Sequence, residues 1–252
     1  MGKLDGKVAL VTGAGSGIGQ GVALAMAKEG AAVGVVEINS EHAASTVEMI
    51  ESLGQKAIAV PCNVAERKAV DQAVARIVEA FGALDIIVNC AHASRPGITL
   101  ENVSDEDLSL SMDSGFYGTW YMMRAAFPHL RRKGGKVLNF GSGAALNGMW
   151  GQSAYAAAKE AIRGISRVAA TEWGCHKINV NVVCPVAESP GVRKWKESLP
   201  DQYDAALQAI PLGRFGDCER DIGRAVVFLA GPDSDFITGQ TLMVDGGKVF
   251  LR

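Results

Sequence analysis

Short runs of valine, isoleucine and alanine alternate with longer amphipathic stretches along the whole chain, and this alternation leaves few folds open. The apolar runs are residues 8–11, 32–36, 57–60, 86–88, 137–140, 178–183 and 241–244. Between them lie stretches with helical periodicity: 18–30, 40–53, 66–81, 104–130, 153–174 and 219–229. A strand buried on both faces reads as a continuous apolar run, and strands separated by helices pair in parallel with helices on either side. Ser104 followed by Asp107, and Ser40 before Glu41, mark two helix starts. No repeat and no Pro/Ser/Gly-rich linker divides the chain, so residues 1–252 are expected to form one doubly wound α/β domain. The alternation breaks once, over about 186–217, after the sixth run. Ligands of open parallel sheets bind beyond the carboxyl ends of the strands, so this insertion is expected to be a substrate loop or lid. Residues 193–198 and 202–210 read as short helices within it.

The first run ends in Thr12-Gly13-Ala14-Gly15-Ser16-Gly17-Ile18-Gly19 and opens directly into a helical pattern. Backbone approaches a pyrophosphate closely only where side chains are absent, and a helix N-terminus then offers amide donors and a favourable dipole. A glycine-rich turn alone is weak evidence, since it also serves as a tight strand–helix joint. Its position strengthens it: Glu37 ends the second run, 18 residues past Gly19. A carboxylate at that offset accepts from an adenosine ribose hydroxyl and repels a 2′-phosphate. Neither Ser16 nor Ile38 offers the positive charge that a 2′-phosphate needs. NAD is therefore the expected cofactor. The alternative reading of Glu37 is an ordinary exposed acid.

Tyr155-Ala-Ala-Ala-Lys159 places a phenol and an ammonium one turn apart near the start of a long helix. The pattern is common by chance, but here it follows Ser142 by thirteen residues, and Ser142 ends the fifth run. Removing a hydroxyl proton as hydride departs needs a base, and free tyrosine titrates near 10. Bringing it to about 7 takes roughly 4 kcal/mol of preferential phenolate stabilisation. An adjacent ammonium and an oxidised nicotinamide are the available positive charges, and a serine hydroxyl can donate to the developing oxyanion.

On these residues the chain resembles the short-chain dehydrogenase/reductase family, over nearly its whole length. The resemblance includes Thr12–Gly19, Asn89-Cys90-Ala91-His92, Ser142, Tyr155 with Lys159, the Pro211-Leu-Gly-Arg-Phe-Gly216 segment, and the C-terminal Ile237 to Gly247 stretch. It implies a seven-stranded Rossmann-type parallel sheet, helices on both faces, and a homotetramer. It also implies that Lys159 hydrogen-bonds the nicotinamide ribose and that Asn63 lies beside the adenine. The resulting cofactor set is Gly13, Ser16, Gly17, Ile18, Gly19, Glu37, Asn63, Val64, Asn89, Ala91, Tyr155, Lys159, Pro185 and Val186. The catalytic set is Ser142, Tyr155 and Lys159. Besides Asn63, where the family commonly has aspartate, three positions depart from the family pattern. His92 stands where the family has glycine; Gly115 falls where it has a catalytic asparagine; Val186 replaces a glycine after the sixth strand. Ser111 and Ser114 are hydroxyls near Gly115, and nothing in the sequence shows either as a substitute.

His92 reads equally as a substrate or relay group and as a loop residue without a role. Met149, Trp150 and Trp195 either line an apolar pocket or pack their loops. Arg95, Arg193, Lys194 and Lys196 read as a solvated face more readily than as an anion site. A net charge of −2 and the absence of a basic run argue against nucleic acid. No apolar run approaches membrane-spanning length. Five cysteines without a C-x-x-C pair, and four histidines without ligand spacing, argue against disulfides and metal. Cys62, Cys90 and Cys184 read as buried apolar filler. The expectation is a cytoplasmic NAD-dependent enzyme interconverting a small-molecule secondary alcohol and its carbonyl. A 3-oxoacyl-thioester reductase is the alternative among enzymes. A cofactor-binding or sensing relative with decayed chemistry is the alternative outside them.

Overall fold

In the computed structural model, which describes residues 2–251, the apolar runs become strands because both their faces are covered. The strands are β1 (Val8–Thr12), β2 (Ala32–Glu37), β3 (Ala57–Pro61), β4 (Ile86–Asn89), β5 (Gly135–Phe140), β6 (Ile178–Pro185) and β7 (Thr241–Val244). They form one seven-stranded sheet in the order β3-β2-β1-β4-β5-β6-β7, parallel at every pairing. Alternate residues feed two cores. Ala9, Val11, Val33, Val35, Ile86 and Val88 enter one, while Val8, Leu10, Val36, Ile87 and Val137 enter the other. Truncating a fully buried side chain such as Leu10 to alanine is expected to cost about 2–5 kcal/mol.

Helices α1 (Gly17–Lys28), α2 (Ser40–Ser52), α3 (Arg67–Phe81), α4 (Asp105–Ser111), α5 (Gly118–Leu130), α6 (Gly143–Leu146), α7 (Ser153–Trp173), α8 (Pro190–Ser198), α9 (Pro200–Gln208) and α10 (Arg224–Ala230) connect the strands. The expected start at Ser104 is present: its hydroxyl accepts from the Asp107 amide at 3.1 Å and donates to the Asp107 carboxylate at 3.0 Å. At α2 the cap is Asn39 rather than Ser40, because the Asn39 side-chain oxygen accepts from the amides of Glu41 and His42. The expected helix 104–130 is interrupted by a wide, π-helical turn at Met112–Tyr117. A second wide turn, Cys218–Gly223, leads into α10. It crosses α1 closely, since a Cβ on Gly21 would stand 2.5 Å from the Cys218 carbonyl carbon.

The chain runs outward from β1 to β2 and β3, then returns to pair β4 on the other side of β1. The crevice beyond the carboxyl ends of β1 and β4 is the switch point where such sheets bind ligands. The insertion after β6 contains α8 and α9, each opened by a proline at its first turn. These helices begin a few residues earlier than the periodicity suggested.

Candidate active site

A cleft of about 810 Å³ opens at that switch point and extends to the start of α7. At its β1–β2 end the wall is the glycine turn. Gly13 and Gly17 adopt left-handed conformations, with φ of 65° and 56°. A Cβ on Gly19 would lie 2.2 Å from the Gly13 carbonyl oxygen, so α1 can begin this close to the strand only with glycine there. Ser16 caps α1 without a side-chain hydrogen bond, leaving its hydroxyl and the first amides of the helix free. Glu37 leans over the turn: one carboxylate oxygen accepts from Gly15 at 3.1 Å, the other from Ile38 at 2.8 Å and Asn39 at 3.2 Å. These bonds fix the carboxylate at the cleft edge. A backbone cradle that side chains would fill, facing a helix N-terminus and a fixed carboxylate, fits a dinucleotide. Asn63 and Val64 lie on the same wall, where the Asn63 side chain spans the Ala65 amide and the Glu66 carboxylate.

The other end carries the titratable groups. Lys159 is buried and donates to the Phe140 carbonyl at 2.9 Å. Its ammonium lies 5.6 Å from the centre of the Tyr155 ring. Burial lowers Lys159 to about 8. Burial also raises the Tyr155 phenol above its usual 10, and the Ser142 hydroxyl beside it pulls it down. The sequence argument put the ammonium first; in the folded chain desolvation is the larger effect on Tyr155. Ser142 caps α6 by accepting from Ala144 at 3.1 Å, which leaves its own proton free to donate. Burial pushes Cys90, on the cleft wall, up to about 12, so it remains a neutral thiol.

Of the residues read from the sequence, Gly13, Ser16, Gly17, Ile18, Gly19, Glu37, Asn63, Val64, Ala91, His92, Tyr155, Lys159 and Pro185 line this cleft. Others do not. Asn89 is buried beneath it and donates to Asn139 at 2.8 Å, part of a polar chain that continues to Ser166. Val186 borders a separate cavity, because its amide and carbonyl are taken by Val244 and Gly216. Trp195 packs edge-on against Tyr203, with ring centres 5.9 Å apart. Met149 and Trp150 are exposed on the loop after α6. Arg95 pairs with Asp107 at 2.6 Å.

The cleft also includes Asp113, Ser189, Pro190 and Gly191, which sequence reasoning did not select. Ser189 followed by Pro190 is a helix-start signal and could have marked the last three. Pro190 rests against the glycine turn, 3.3 Å from where a Gly17 Cβ would stand, so α8 begins directly over the phosphate-type cradle. Ser114 donates to the Leu110 carbonyl and accepts from the Ala93 amide, tying the loop after β4 to the wide turn. Thr12 fixes the other side of that loop by accepting from Cys90 and Ala91. Among the described residues no cluster of three or more His, Cys, Asp or Glu side chains is placed to bind a metal ion. None of their helices is long and apolar enough to cross a membrane.

Known proteins are similar to this chain over nearly its whole length. The family described as enoyl-(acyl carrier protein) reductase matches residues 13–248. A 12alpha-hydroxysteroid dehydrogenase from Clostridium sp. is 44% identical, covering 98% of both chains. The 3-oxoacyl acyl-carrier-protein reductase FabG of Thermotoga maritima is 34% identical over 98% of this chain and 99% of its own. Among solved structures, a 7 alpha-hydroxysteroid dehydrogenase complexed with NADH and 7-oxo glycochenodeoxycholic acid superimposes with a TM-score of 0.92 at 30% identity. It covers 97% of this chain and 94% of its own. A short chain dehydrogenase from Burkholderia cenocepacia in complex with NADP gives a TM-score of 0.90 at 34% identity, covering 98% and 99%.

Proposed function

The chain belongs to the short-chain dehydrogenase/reductase family, and on that premise we propose that it is an NAD-linked dehydrogenase of bulky secondary alcohols, hydroxysteroids being the first class to test. The observation that carries the cofactor assignment is Glu37, fixed by three amides at the cleft edge. Its charge repels a 2′-phosphate, and its remaining lone pairs are free to accept from a ribose hydroxyl. The substrate class rests on the 44% identical hydroxysteroid dehydrogenase.

Bound nicotinamide supplies the acceptor or donor of hydride, and the chain handles the proton. In the oxidative direction Tyr155, once deprotonated to the phenolate, takes the hydroxyl proton while Ser142 donates to the same oxygen as charge develops. Lys159 is held by the Phe140 carbonyl one turn beyond Tyr155, where its charge favours the phenolate. Gly13, Ser16, Gly17, Ile18 and Gly19 bind the phosphates, Asn63 and Val64 the adenine side, and Ala91 and Pro185 the nicotinamide side. Asn89 supports the strand end through Asn139. The decisive experiment measures kcat/KM for NAD(H) and NADP(H) across a panel of hydroxysteroids, simple secondary alcohols and their ketones. A preference for NADPH overturns the cofactor assignment. Full activity in Tyr155→Phe ends the mechanism.

A second reading, reduction of 3-oxoacyl thioesters, draws on the resemblance to the Thermotoga FabG protein. Turnover of an acetoacetyl thioester with NADPH, but of no steroid, would select it. We assign the active form as a homotetramer. Leu108, Tyr117, Trp120 and Val168 expose apolar side chains on α4, the wide turn, α5 and α7, which supports a face covered by another copy. A monomer by light scattering at micromolar concentration would refute this. Five free thiols suit a reducing compartment, which supports the cytoplasm.

A further inference from the structure

His92 is a titratable side chain at the cleft for which the reaction above has no use. Its ring stands edge-on to the Tyr155 phenol, with centres 4.9 Å apart and planes at 77°. Nε2 lies 3.0 Å from the hydroxyl of fully buried Ser111, while Nδ1 is buried without a hydrogen-bond partner. Burial and the nearby Lys159 charge lower the imidazole to about 2, so the ring is neutral at any working pH.

The ring occupies space that another residue gives up. Gly115 lies in the wide turn between α4 and α5. A Cβ there would stand 2.4 Å from His92 Nδ1 and 2.6 Å from Cε1, and 3.4 Å from the Cβ of Ala158. The imidazole is therefore wedged between the turn and α7, beside the residue that precedes Lys159. No rotation about a terminal bond relieves so close an approach to a ring, and Ser111 fixes the far nitrogen.

We propose that His92 and Gly115 are one positioning unit for the acid–base group: the imidazole, admitted by the notch at Gly115, fixes the orientation of the Tyr155 phenol. This rests on Tyr155 being the acid–base group. A neutral, wedged ring restricts the phenol without adding charge, and it exposes no open lone pair to substrate. His92 thus contributes orientation rather than proton transfer.

A double-mutant cycle tests the unit, using kcat, the KM values and the NADH dissociation constant of the intact enzyme. His92→Ala should lower kcat by about ten- to a hundredfold, the scale set by small misplacement of a reacting group, with NADH affinity unchanged. Gly115→Ala should lower kcat comparably by displacing the ring. The double variant should be no worse than His92→Ala, since the new methyl enters vacated space. Multiplying effects, or wild-type kcat in His92→Ala, overturn the proposal. If Gly115→Ala alone fails to fold, the double variant should still fold because the clash is gone, and its failure to do so also overturns the proposal. Tyr155→Phe separates the two readings. An active Tyr155→Phe removes the mechanism beneath the unit, whereas an inactive one beside a fully active His92→Ala removes the unit alone.

Discussion

Replacing Lys159 by methionine should abolish turnover and yet leave the cofactor-free fold as stable as the parent or more so. The ammonium is buried, with the Phe140 carbonyl as its hydrogen-bond acceptor. Burial holds its pKa at about 8 against an ordinary 10.5. At 1.36 kcal/mol per unit, that depression corresponds to about 3 kcal/mol spent keeping the charge inside at neutral pH. Methionine removes the charge, keeps most of the stem volume, and leaves the Phe140 carbonyl unpaired at about 1–3 kcal/mol. The net change at pH 7 should lie between about zero and +2 kcal/mol. At roughly 2–4 °C per kcal/mol for a chain this long, the melting temperature rises by a few degrees.

The pH dependence separates this reading from simple repacking. Above its unfolded pKa the lysine is neutral in both states and the penalty vanishes. Below its folded pKa the penalty is complete. Between about 8 and 10.5 the unfolded chain binds more protons, so the parent gains stability as pH rises. Urea unfolding at pH 7, 8, 9 and 10 should show the parent gaining roughly 2–3 kcal/mol relative to Lys159→Met across that range. Other titrations are common to both proteins and cancel in the difference. Parallel stability curves would show that Lys159 titrates normally and refute the argument.

Ser142→Ala removes a positioned donor to the developing oxyanion and should lower kcat by about 10²–10³; losing its bond to the Ala144 amide should cost stability by about 1 kcal/mol. Glu37→Ala should narrow the gap in kcat/KM between NAD and NADP, since it removes an acceptor for one and a repeller of the other. An unchanged ratio would assign specificity elsewhere. Because Ser189, Pro190 and Gly191 line the cleft and Pro190 rests on Gly17, amides of α8 should gain hydrogen-exchange protection when cofactor and substrate bind. Equal protection in the free and ternary states would remove the lid role.

The parts legible in the sequence were those whose signal is local. All seven apolar runs became strands, because strands covered on both faces tolerate no polar interruption long enough to hide them. The glycine turn was legible for a similar reason: positive φ and close backbone approach demand glycine at fixed spacing, and Glu37 follows at a distance set by one helix and one strand. Asn89 and Val186 show where motif position stops short. Asn89 ends β4 and Val186 follows the end of β6, but pleating and loop pairing direct the Asn89 amide down to Asn139 and lock the Val186 backbone between Val244 and Gly216. The wide turn at Met112–Tyr117 leaves no periodic signature, since one extra residue per turn over six positions is lost in an otherwise amphipathic pattern. His92 and Gly115 were each noted as departures, yet their relation is tertiary: one is on a loop and the other in a helix 23 positions on.

The departures from the family pattern are not spread evenly over the cleft. At the adenosine end the determinants are backbone conformations and one carboxylate, which admit little variation while a dinucleotide must be held. At the hydride end the determinants are side chains, and here His92 and Gly115 differ from the family pattern together. A single exchange at either position would leave a clash of 2.4 Å or an empty notch beside Tyr155, so the two residues are expected to change only as a pair. The same pressure extends to Ser111, whose hydroxyl meets the ring at 3.0 Å, and to the wide turn, which sets Gly115 against α7. In the proposed unit, orientation of Tyr155 comes from the loop after β4, whose imidazole stands 4.9 Å from the phenol ring. Since that loop also forms the cleft wall through Ala91, His92, Ala93 and Ser94, the device that aims the phenol and the surface that meets the substrate are one segment. Substitutions there should therefore shift substrate preference and kcat together.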